Sequence, residues 1–423
     1  MQALFLTNEA INQRRSGPAI RCLELARAVA RPQQVAIASL QPCDMELKEI
    51  RLLPDALNRR SELEALCKQS DVVVTQGLAL ARWPALAKLA RHLVIDLYDP
   101  YLLEYLAHAH PRHPTWGYLR QLHRLNQQML EGDFFLCANE RQRDYWLGRL
   151  CALGRLNPDE YQRDVSFEKL IAVVPFGLPA DPPRHTRNVM KGVLPGIAQD
   201  DFVLLWAGGL WQWLDPLTPI RAMAEVATIR PKAKLVFLGA HDPNPNNRPM
   251  SVAEEARRLA EELKLLGRNV FFHEQWVPYE ERENFLLEAD VGISAHPATI
   301  ESRFAFRTRV LDYIWAGLPM ILTSGDDFSD WAERNHVGRV VAPGDVTGWK
   351  EAIVSSVIYQ DTGGKMARIK LRELAPNFQW QRVAEPLARY CAAPYKTHRA
   401  SMLRKKLVPL LSSGYEIAKG WRG

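Results

Sequence analysis

One stretch of the chain decides the fold: Glu301-Ser-Arg-Phe-Ala-Phe-Arg-Thr-Arg-Val-Leu-Asp-Tyr-Ile-Trp-Ala-Gly-Leu-Pro319, which lies between two short apolar runs, Val291–Ala295 and Met320–Thr323. Short apolar runs bounded by polar or turn residues are typical of buried β-strands. Residues 310–315 predict a helix between them, so the stretch indicates a strand–helix–strand unit of a parallel sheet. In such a sheet, ligands bind in the crevice outside the carboxyl ends of the strands.

The same stretch places charged side chains beside the expected crevice. Glu301 and Asp312 can accept hydrogen bonds from hydroxyl groups, and Asp312 at the predicted helix start suits the two hydroxyls of a ribose. Arg303, Arg307 and Arg309 offer forked donors that suit a diphosphate, and a helix N-terminus also favours anions. Together these residues indicate a phosphorylated sugar, and a nucleotide sugar in particular. The alternative is a surface helix entry with a few salt bridges.

Composition bounds the class of protein. The 423 residues predict two domains, and 47% hydrophobic with 24% charged residues is ordinary for a soluble globular chain. No window approaches the roughly 18 apolar residues of a membrane-spanning helix. The N-terminal residues predict a first strand rather than a signal peptide. Six cysteines are scattered without a CxxC pair, so we expect reduced thiols and a cytoplasmic location.

Nearly all of the net charge lies at the C-terminus. Residues 395–423 contain seven Lys or Arg and one Glu, which accounts for the whole net charge of +6. The remainder is neutral, so we expect no nucleic-acid partner. Leucines and Trp421 among these cations predict an amphipathic segment that binds an anionic membrane surface, which would place the protein on the inner face of the cytoplasmic membrane. The alternative is a solvated extension or a linker.

Apolar runs alternate with amphipathic helical patterns along the whole chain. In the first half the predicted strands are 3–7, 34–40, 71–76, 93–97, 134–138 and a last one from 171. In the second half they are 202–206, 234–238, 270–273, 291–295, 320–323 and 338–341. This pattern predicts an α/β protein of two doubly wound, Rossmann-like domains, with a ligand in the cleft between them.

A proline-rich connection sets the predicted domain boundary. We expect a first domain over residues 1–178, a second over 184–376, a helix within 377–392 that returns to the first domain, and a basic amphipathic tail over 393–423. Four prolines within residues 175–183 stiffen the connection and cannot continue a helix.

In each half of the chain, a glycine-containing loop follows the first strand. Gly17 precedes a predicted helix and could face a substrate phosphate, although an ordinary turn explains it equally well. Gly208 and Gly209 could form a phosphate cradle before the helix that follows Pro216. In the same loop, Trp211 and Asp215 are candidate substrate-binding residues. The alternative is that the loop tryptophans pack the domain interface.

Other strand ends carry further candidates. Trp276 and Val277 follow a strand and could form a platform for a nucleotide base, although the acids next to them also suit a plain helix start. Asp99 lies at the carboxyl end of a first-domain strand and could bind the acceptor or act as a base. Four histidines between residues 108 and 123 fit no zinc spacing, so we expect no metal site.

The chain resembles the retaining glycosyltransferases of family 4, which have the GT-B architecture of two Rossmann-like domains and a C-terminal crossover helix. Leu311-Asp-Tyr-Ile-Trp-Ala-Gly-Leu-Pro319 is similar to the family's signature segment, with Asp312 in place of the usual Glu. Val173–Pro179 is similar to its interdomain strand and loop, and Phe378–Arg382 to the start of its crossover helix. The resemblance covers residues 1–391. It implies a nucleoside-diphosphate sugar as donor, a glycan or lipid-linked acceptor, and neither a metal nor another cofactor.

Two departures from the family pattern shape the candidate site. The family's first Glu stands eight residues before the second, whereas the nearest acid here, Glu301, stands eleven before Asp312. The family also has an Arg and a Lys in the loop that is Gly208–Asp215 here, which has no cation. Phosphate binding would then fall to Arg303, Arg307 or Arg309. Glu301, Arg307 and Asp99 are the candidate catalytic residues.

The resemblance implies retention at the anomeric carbon, with neutralisation of the departing diphosphate as the main catalytic task. The departures suggest a subgroup for bacterial surface polysaccharide such as O-antigen. Two alternatives remain open: another enzyme on the same architecture, such as an epimerase or phosphorylase, and a non-catalytic scaffold or nucleotide-binding subunit of a glycan-assembly complex.

Overall fold

The computed structural model describes residues 2–13, 15–30, 33–77, 79, 83–108, 115–239, 251–275 and 277–398. The candidate Trp276 and residues 399–423 of the basic tail lie outside this part of the chain. Within it, no helix has the length and apolar character needed to cross a membrane.

The first half of the chain forms a parallel sheet of seven strands in the order β3-β2-β1-β4-β5-β6-β7. Its strands are β1 (Gln2–Thr7), β2 (Gln34–Ser39), β3 (Ile50–Leu53), β4 (Val72–Gln76), β5 (His92–Asp96), β6 (Phe134–Cys137) and β7 (Ile171–Val173). Its helices are α1 (Gly17–Val29), α2 (Arg60–Gln69), α3 (Leu86–Leu89), α4 (Tyr101–His108), α5 (Thr115–Glu131), α6 (Glu140–Ala152) and α7 (Pro158–Arg163). The order reverses between β1 and β4.

The second half repeats this plan with six parallel strands in the order β10-β9-β8-β11-β12-β13. Its strands are β8 (Phe202–Trp206), β9 (Ala233–Phe237), β10 (Val270–Phe272), β11 (Val291–Ser294), β12 (Met320–Thr323) and β13 (Gly338–Val341). Its helices are α8 (Leu217–Ile229), α9 (Ser251–Glu262), α10 (Arg282–Glu288), α11 (Ile300–Phe304), α12 (Thr308–Ala316), α13 (Asp327–Arg334), α14 (Val346–Ile358) and α15 (Lys365–Leu374).

Local sequence sets the ends of the helices that matter for the site. Ser16 accepts a hydrogen bond from the Ala19 amide and caps α1, with Pro18 in the first turn. Helix α12 ends at Gly317, whose φ of +63° is a left-handed conformation that glycine adopts at little cost. The predicted helix 310–315 was too short at its start, because α12 begins at Thr308. Asp312 therefore lies in the second turn of α12, not at its start.

The last helices return to the first domain. The predicted crossover helix within 377–392 is two helices, α16 (Trp380–Val383) and α17 (Glu385–Ala392), because Ala384 ends the first and Pro386 lies in the first turn of the second. Both pack against α1. The Tyr390 ring stacks on Phe134 of β6 at 4.5 Å between centroids.

The crossover crosses the interdomain connection at Gly177. The Trp380 indole lies against Phe176, with ring centroids 4.7 Å apart. A Cβ placed on Gly177 would lie 2.6 Å from Trp380 Cδ2 and 2.9 Å from its Cα. A single apolar cluster continues from the first sheet through these residues to α12 of the second domain. The two domains are thus packed together at the crossover, on one side of the cleft.

Candidate active site

The second sheet reverses its strand order between β8 and β11, and the loops after these two strands meet there. The Asp215 amide donates to the Ala295 carbonyl, with N and O 3.0 Å apart. Gly208 has a φ of +111°, and a Cβ placed on Gly239 would lie 3.2 Å from the Gly208 carbonyl carbon. Close backbone approach at the carboxyl edge of the sheet, beside the N-terminus of α12, forms the crevice predicted for a phosphate.

Arg309 supplies a cation at the glycine loop. Its Nη2 donates to the Gly209 carbonyl at 2.9 Å, and its guanidinium lies over the Trp206 ring, 4.5 Å from the centroid. Its Nη1 is buried and has no hydrogen-bond partner. Burial lowers the pKa of Arg309 to about 10, so the side chain stays charged at neutral pH. Arg309 is therefore a buried cation beside the glycine loop, and its Nη1 donor has no protein partner.

Glu301 and Arg307 form a buried pair between α11 and α12. Arg307 donates from Nη1 to Oε1 at 3.2 Å and from Nη2 to Oε2 at 2.9 Å. The side chains are 2% and 6% exposed, respectively. Arg307 Nε is buried without a partner. This forked geometry fixes the Glu301 carboxylate in one orientation, at the place where α11 packs against α4 and α6 of the first domain.

Two first-domain acids lie across the cleft from this pair. Burial raises the pKa of Asp99 to about 7; Asp96 and Glu301 raise it further, and a hydrogen bond from Tyr98 opposes the shift. Burial together with the charges of Asp99 and Glu301 holds the pKa of Glu104 well above its usual range, and Arg307 partly offsets it. The predicted catalytic residues Glu301, Arg307 and Asp99 therefore lie within electrostatic reach of one another, with Glu104 as a further member.

Asp312 has a protein partner in this structure. Its Oδ1 accepts from Arg282 Nε at 3.0 Å. The Arg282 guanidinium lies 3.5 Å from the Tyr279 ring centroid and 4.4 Å from that of Trp315. Asp312 keeps a side-chain exposure of 26%. Its carboxylate thus lies at the edge of the cleft, held by one charge-assisted hydrogen bond and open on its remaining side.

The other predicted residues take different places. Arg303 is exposed on α11. Gly17 begins α1, and a Cβ placed on it would lie 4.0 Å from the Tyr98 hydroxyl, so there is room for a side chain. Asp215 accepts from the Thr218 amide at 3.0 Å and so caps α8. Val277 is partly buried and lines a groove of about 630 Å³ beside the edge strand β10. None of these placements by itself tests a role in substrate binding.

The loop tryptophans pack on their own domain. The Trp211 and Trp213 rings stack at 5.6 Å with an interplanar angle of 8°, and both lie against the apolar core of the second domain. A Cβ on Gly209 would lie 2.9 Å from the Trp211 indole. The Trp211 indole thus packs directly against Gly209 of the glycine loop.

The interface on the side of α6 is polar. Gln142 Nε2 donates to the Phe304 carbonyl at 2.8 Å. Arg141 donates to the Gly325 carbonyl at 2.9 Å and forms ion pairs with Asp327 and Asp330 of α13. On the opposite side, Arg15 pairs with Glu280. These contacts hold the two domains together around the cleft.

Sequence reasoning missed three residues of this site. Glu104 lies in the first turn of α4, where an acid is ordinarily a helix-dipole device, and Arg282 lies among acids at the start of α10. His296 is 1% exposed, and its Nε2 lies 3.5 Å from Asp326 Oδ2. Only the strand-end position of His296 could have drawn attention to it. Among the described residues, no group of three or more His, Cys, Asp or Glu is arranged to hold a metal ion.

Comparisons with known proteins agree with this architecture. Residues 201–357 match the family model described as glycosyl transferases group 1. No curated protein sequence matches the chain. Among solved structures, sucrose-phosphate synthase from Thermosynechococcus elongatus is 14% identical with a TM-score of 0.62, covering 92% of this chain and 98% of that one.

Two further structures are similar over a comparable length. HepE from Anabaena in complex with UDP-glucose is 14% identical with a TM-score of 0.62, covering 93% of this chain and 100% of that one. WaaG, a glycosyltransferase involved in lipopolysaccharide biosynthesis, is 16% identical with a TM-score of 0.59, covering 92% and 100%. The predicted GT-B fold of two Rossmann-like domains is confirmed.

Proposed function

We propose that this protein is a retaining, metal-independent glycosyltransferase of family 4 that transfers a sugar from a nucleoside-diphosphate sugar to a glycan or lipid-linked acceptor. One observation carries the proposal. The buried Glu301–Arg307 pair of the second domain meets Asp99 and Glu104 of the first domain across the cleft. A donor site in one domain and an acceptor site in the other would meet at this point.

The donor half of the site follows from the second domain. Arg309, the amides of Gly208 and Gly209 and the N-terminus of α12 would hold the diphosphate, because they combine a buried cation with backbone N–H donors at a helix start. Asp312 would bind the ribose hydroxyls, with Arg282 holding its carboxylate. Glu301 would contact the transferred sugar. UDP is the first nucleotide to test, since HepE is solved with UDP-glucose.

The chemistry required of this site is stabilisation of a leaving diphosphate. Arg309 and Arg307 would neutralise the negative charge that develops as the glycosidic bond breaks, in a site that keeps water out when the domains close. No metal or other cofactor has a part in this scheme. The sugar would then be attacked from the face that the diphosphate leaves.

The acceptor half of the site would use the first-domain acids. Asp99, with its pKa near neutrality, suits a base for the attacking hydroxyl. Glu104 would form a hydrogen bond with a second hydroxyl of the acceptor. We assign the reaction to bacterial cell-surface polysaccharide synthesis in the cytoplasm, at the inner face of the membrane, with residues 395–423 as a membrane contact. The likeness to WaaG, which acts in lipopolysaccharide biosynthesis, supports this assignment.

Calorimetry with nucleoside diphosphates tests the donor site, followed by a hydrolysis screen across nucleotide sugars. Arg307→Ala and Asp312→Ala should each weaken the binding of a nucleoside diphosphate. Arg258→Ala is the matched control, because Arg258 is exposed and pairs with Glu262 in the next turn. If no nucleoside diphosphate binds, the protein is a non-catalytic scaffold. Unchanged affinity in both variants would overturn the site assignment.

A further inference from the structure

Helix α5 presents large apolar side chains to solvent. Trp116 is 80% exposed and Leu119 is 46% exposed, and Leu106 of the neighbouring α4 is 50% exposed. The two helices pack together, with the rings of Tyr105 and Tyr118 6.3 Å apart. A cluster of three exposed large apolar residues on adjoining helices marks an interaction surface.

The same surface carries positive charge. Arg120 and His123 are exposed, and they share a helix face with Trp116 and Leu119 because residues three, four and seven apart lie on one side of a helix. Arg124 is half-buried beside them. Residues 115–130 contain no Asp or Glu. We call Leu106, Trp116, Leu119, Arg120 and His123 the cleft-edge surface.

The topology places this surface at the mouth of the cleft. Helix α5 leads into β6, and a helix between parallel strands runs opposite to them, so its first residues lie at the carboxyl edge of the sheet. Helix α4 carries Glu104 of the candidate site. Helix α11 of the second domain, with Ile300 and Arg303 exposed, packs against α4. The surface therefore adjoins the entrance that an acceptor must use.

We propose that the cleft-edge surface docks on an anionic lipid bilayer and holds the cleft entrance at the level of the headgroups. Tryptophan and leucine beside basic residues, with no Asp or Glu among residues 115–130, is the pattern of a helix that lies in a membrane interface. The docking is inferred from this surface alone. Its use, the presentation of a lipid-linked acceptor to the cleft, rests on the proposed function.

The described C-terminal residues, up to His398, contact the first domain at the opposite edge of the sheet. Arg155 Nη2 donates to Thr397 Oγ1 at 2.7 Å, and Thr397 Oγ1 donates to the Asp133 carbonyl at 2.8 Å. The Tyr395 hydroxyl donates to the Lys169 carbonyl at 2.7 Å. Asp133 and Lys169 precede β6 and β7, so residue 398 lies at the amino edge of the sheet. The two candidate membrane contacts can therefore be tested separately.

Sedimentation of the full chain with vesicles tests the docking, with phosphatidylcholine vesicles compared with vesicles that also contain phosphatidylglycerol. The double substitution W116S/L119S should lower the partition coefficient by about tenfold or more, because two apolar side chains no longer enter the bilayer. R120Q/R124Q should lower it by about fivefold per charge on anionic vesicles at low salt. Lipids with acyl chains brominated near the headgroup should quench the fluorescence of Trp116. W116F should remove the share of the quenching that comes from this residue.

Two controls separate this surface from the rest of the protein. I358S/I369S removes exposed apolar residues of α14 and α15 in the second domain and should leave vesicle binding unchanged. A chain ending at His398 keeps the Thr397 contacts, lacks residues 399–423 with six of the seven cations of the tail, and should still bind through the cleft-edge surface. The proposal is overturned if vesicles do not recruit the full chain, if W116S/L119S stays bound, or if the truncation alone abolishes binding.

The proposed function fails or holds by a different measurement. UDP binding in solution, followed by calorimetry, does not depend on vesicles, and W116S/L119S should bind UDP as the full chain does. Recruitment to vesicles without binding of any nucleoside diphosphate would leave the docking standing and overturn the proposed function. UDP binding without recruitment to vesicles would overturn the docking and leave the proposed function standing.

Discussion

Arg307 and Glu301 form a two-point ion pair that is almost completely buried, with N–O distances of 2.9 and 3.2 Å. Removing one member of a buried pair leaves the other charge without compensation. The pair also joins α11, which contacts the first domain, to the start of α12, which faces the glycine loop. Stability and site geometry are therefore coupled through these two side chains.

Glu301→Gln should lower the free energy of unfolding by on the order of 3 kcal/mol, because the buried Arg307 guanidinium loses its counter-ion. Urea unfolding measures this change. Glu385→Gln is the matched control: its partner Arg389 is exposed and the pair spans one helical turn, so the loss should be below about 0.5 kcal/mol. Equal effects of the two substitutions would contradict the burial argument.

Asp312 and Arg309 should be separable with two ligands. Asp312→Ala should weaken UDP binding by about tenfold or more, as expected for the loss of hydrogen bonds to a charged group, and should leave pyrophosphate binding unchanged because pyrophosphate has no ribose. Arg309→Gln should weaken both ligands, because the cation would contact phosphate. Titration calorimetry distinguishes the patterns, and a loss of pyrophosphate affinity in Asp312→Ala would show that the ribose assignment is incorrect.

Stability should depend on pH through Asp99. Its folded pKa, about 7, lies above that of an unfolded aspartate, so the folded protein holds more protons between about pH 4 and pH 7. The free energy of unfolding should therefore fall as pH rises through this window. Asp99→Asn should weaken that decline and stabilise the protein more at pH 8 than at pH 5. The same change at both pH values would refute the shift.

Transfer activity should change with pH in the opposite direction to stability. If Asp99 acts as a base, transfer activity should rise as pH increases through about 7, and the Asn variant should lose this acid limb. The measurement is a kcat/KM profile with saturating donor. Glu104→Gln serves as the comparison: the pKa of Glu104 is raised well above its usual range, and an amide keeps most of the hydrogen bonding of a protonated carboxyl.

Arg141 tests the polar side of the domain interface. Arg141→Ala removes contacts with Gly325 and α13 of the second domain and should raise KM for the donor a few-fold, because the closed form is favoured less. The effect should be modest, since the ion pairs are partly solvated. Arg143→Ala is the control, because Arg143 donates to Ile171 and Ser166 within the first domain. A larger effect from Arg143 would speak against domain closure as the cause.

Gly177→Ala tests the crossover. A methyl group there would overlap the Trp380 indole and backbone, and overpacking of this kind typically costs about 1–3 kcal/mol. Gly148→Ala, on the exposed face of α6 with nothing within 4 Å, should instead stabilise by about 0.5–1 kcal/mol. Denaturant unfolding of both variants gives the comparison, and a neutral Gly177→Ala would mean that the contact relaxes.

Hydrophobic alternation was enough to predict the two sheets, because parallel strands buried on both faces are short apolar runs. Three of the second-domain strands begin and end at the predicted residues. The edge strand β3, Ile50–Leu53, was missed because its central residues are exposed or half-buried. Such an edge strand has no uniform apolar signal.

The site was harder to predict, because its members come from separate elements. Glu301, Arg307 and Arg309 could be chosen from their spacing and their place between two strands. Spacing could not show that Arg309 contacts Gly209 while Arg303 points to solvent, because that depends on the break between α11 and α12. Glu104 needed the three-dimensional position of α4 against α11.

The return of α17 to α1 affects how the chain folds during synthesis. The outer face of α1 is covered by a helix made about 360 residues later. At roughly 5–20 residues per second, this face waits on the order of 20–70 s for its cover. During that interval its apolar side chains are available to chaperones and to other nascent chains. The first sheet can form early, but the first domain reaches its final form only when the second is complete.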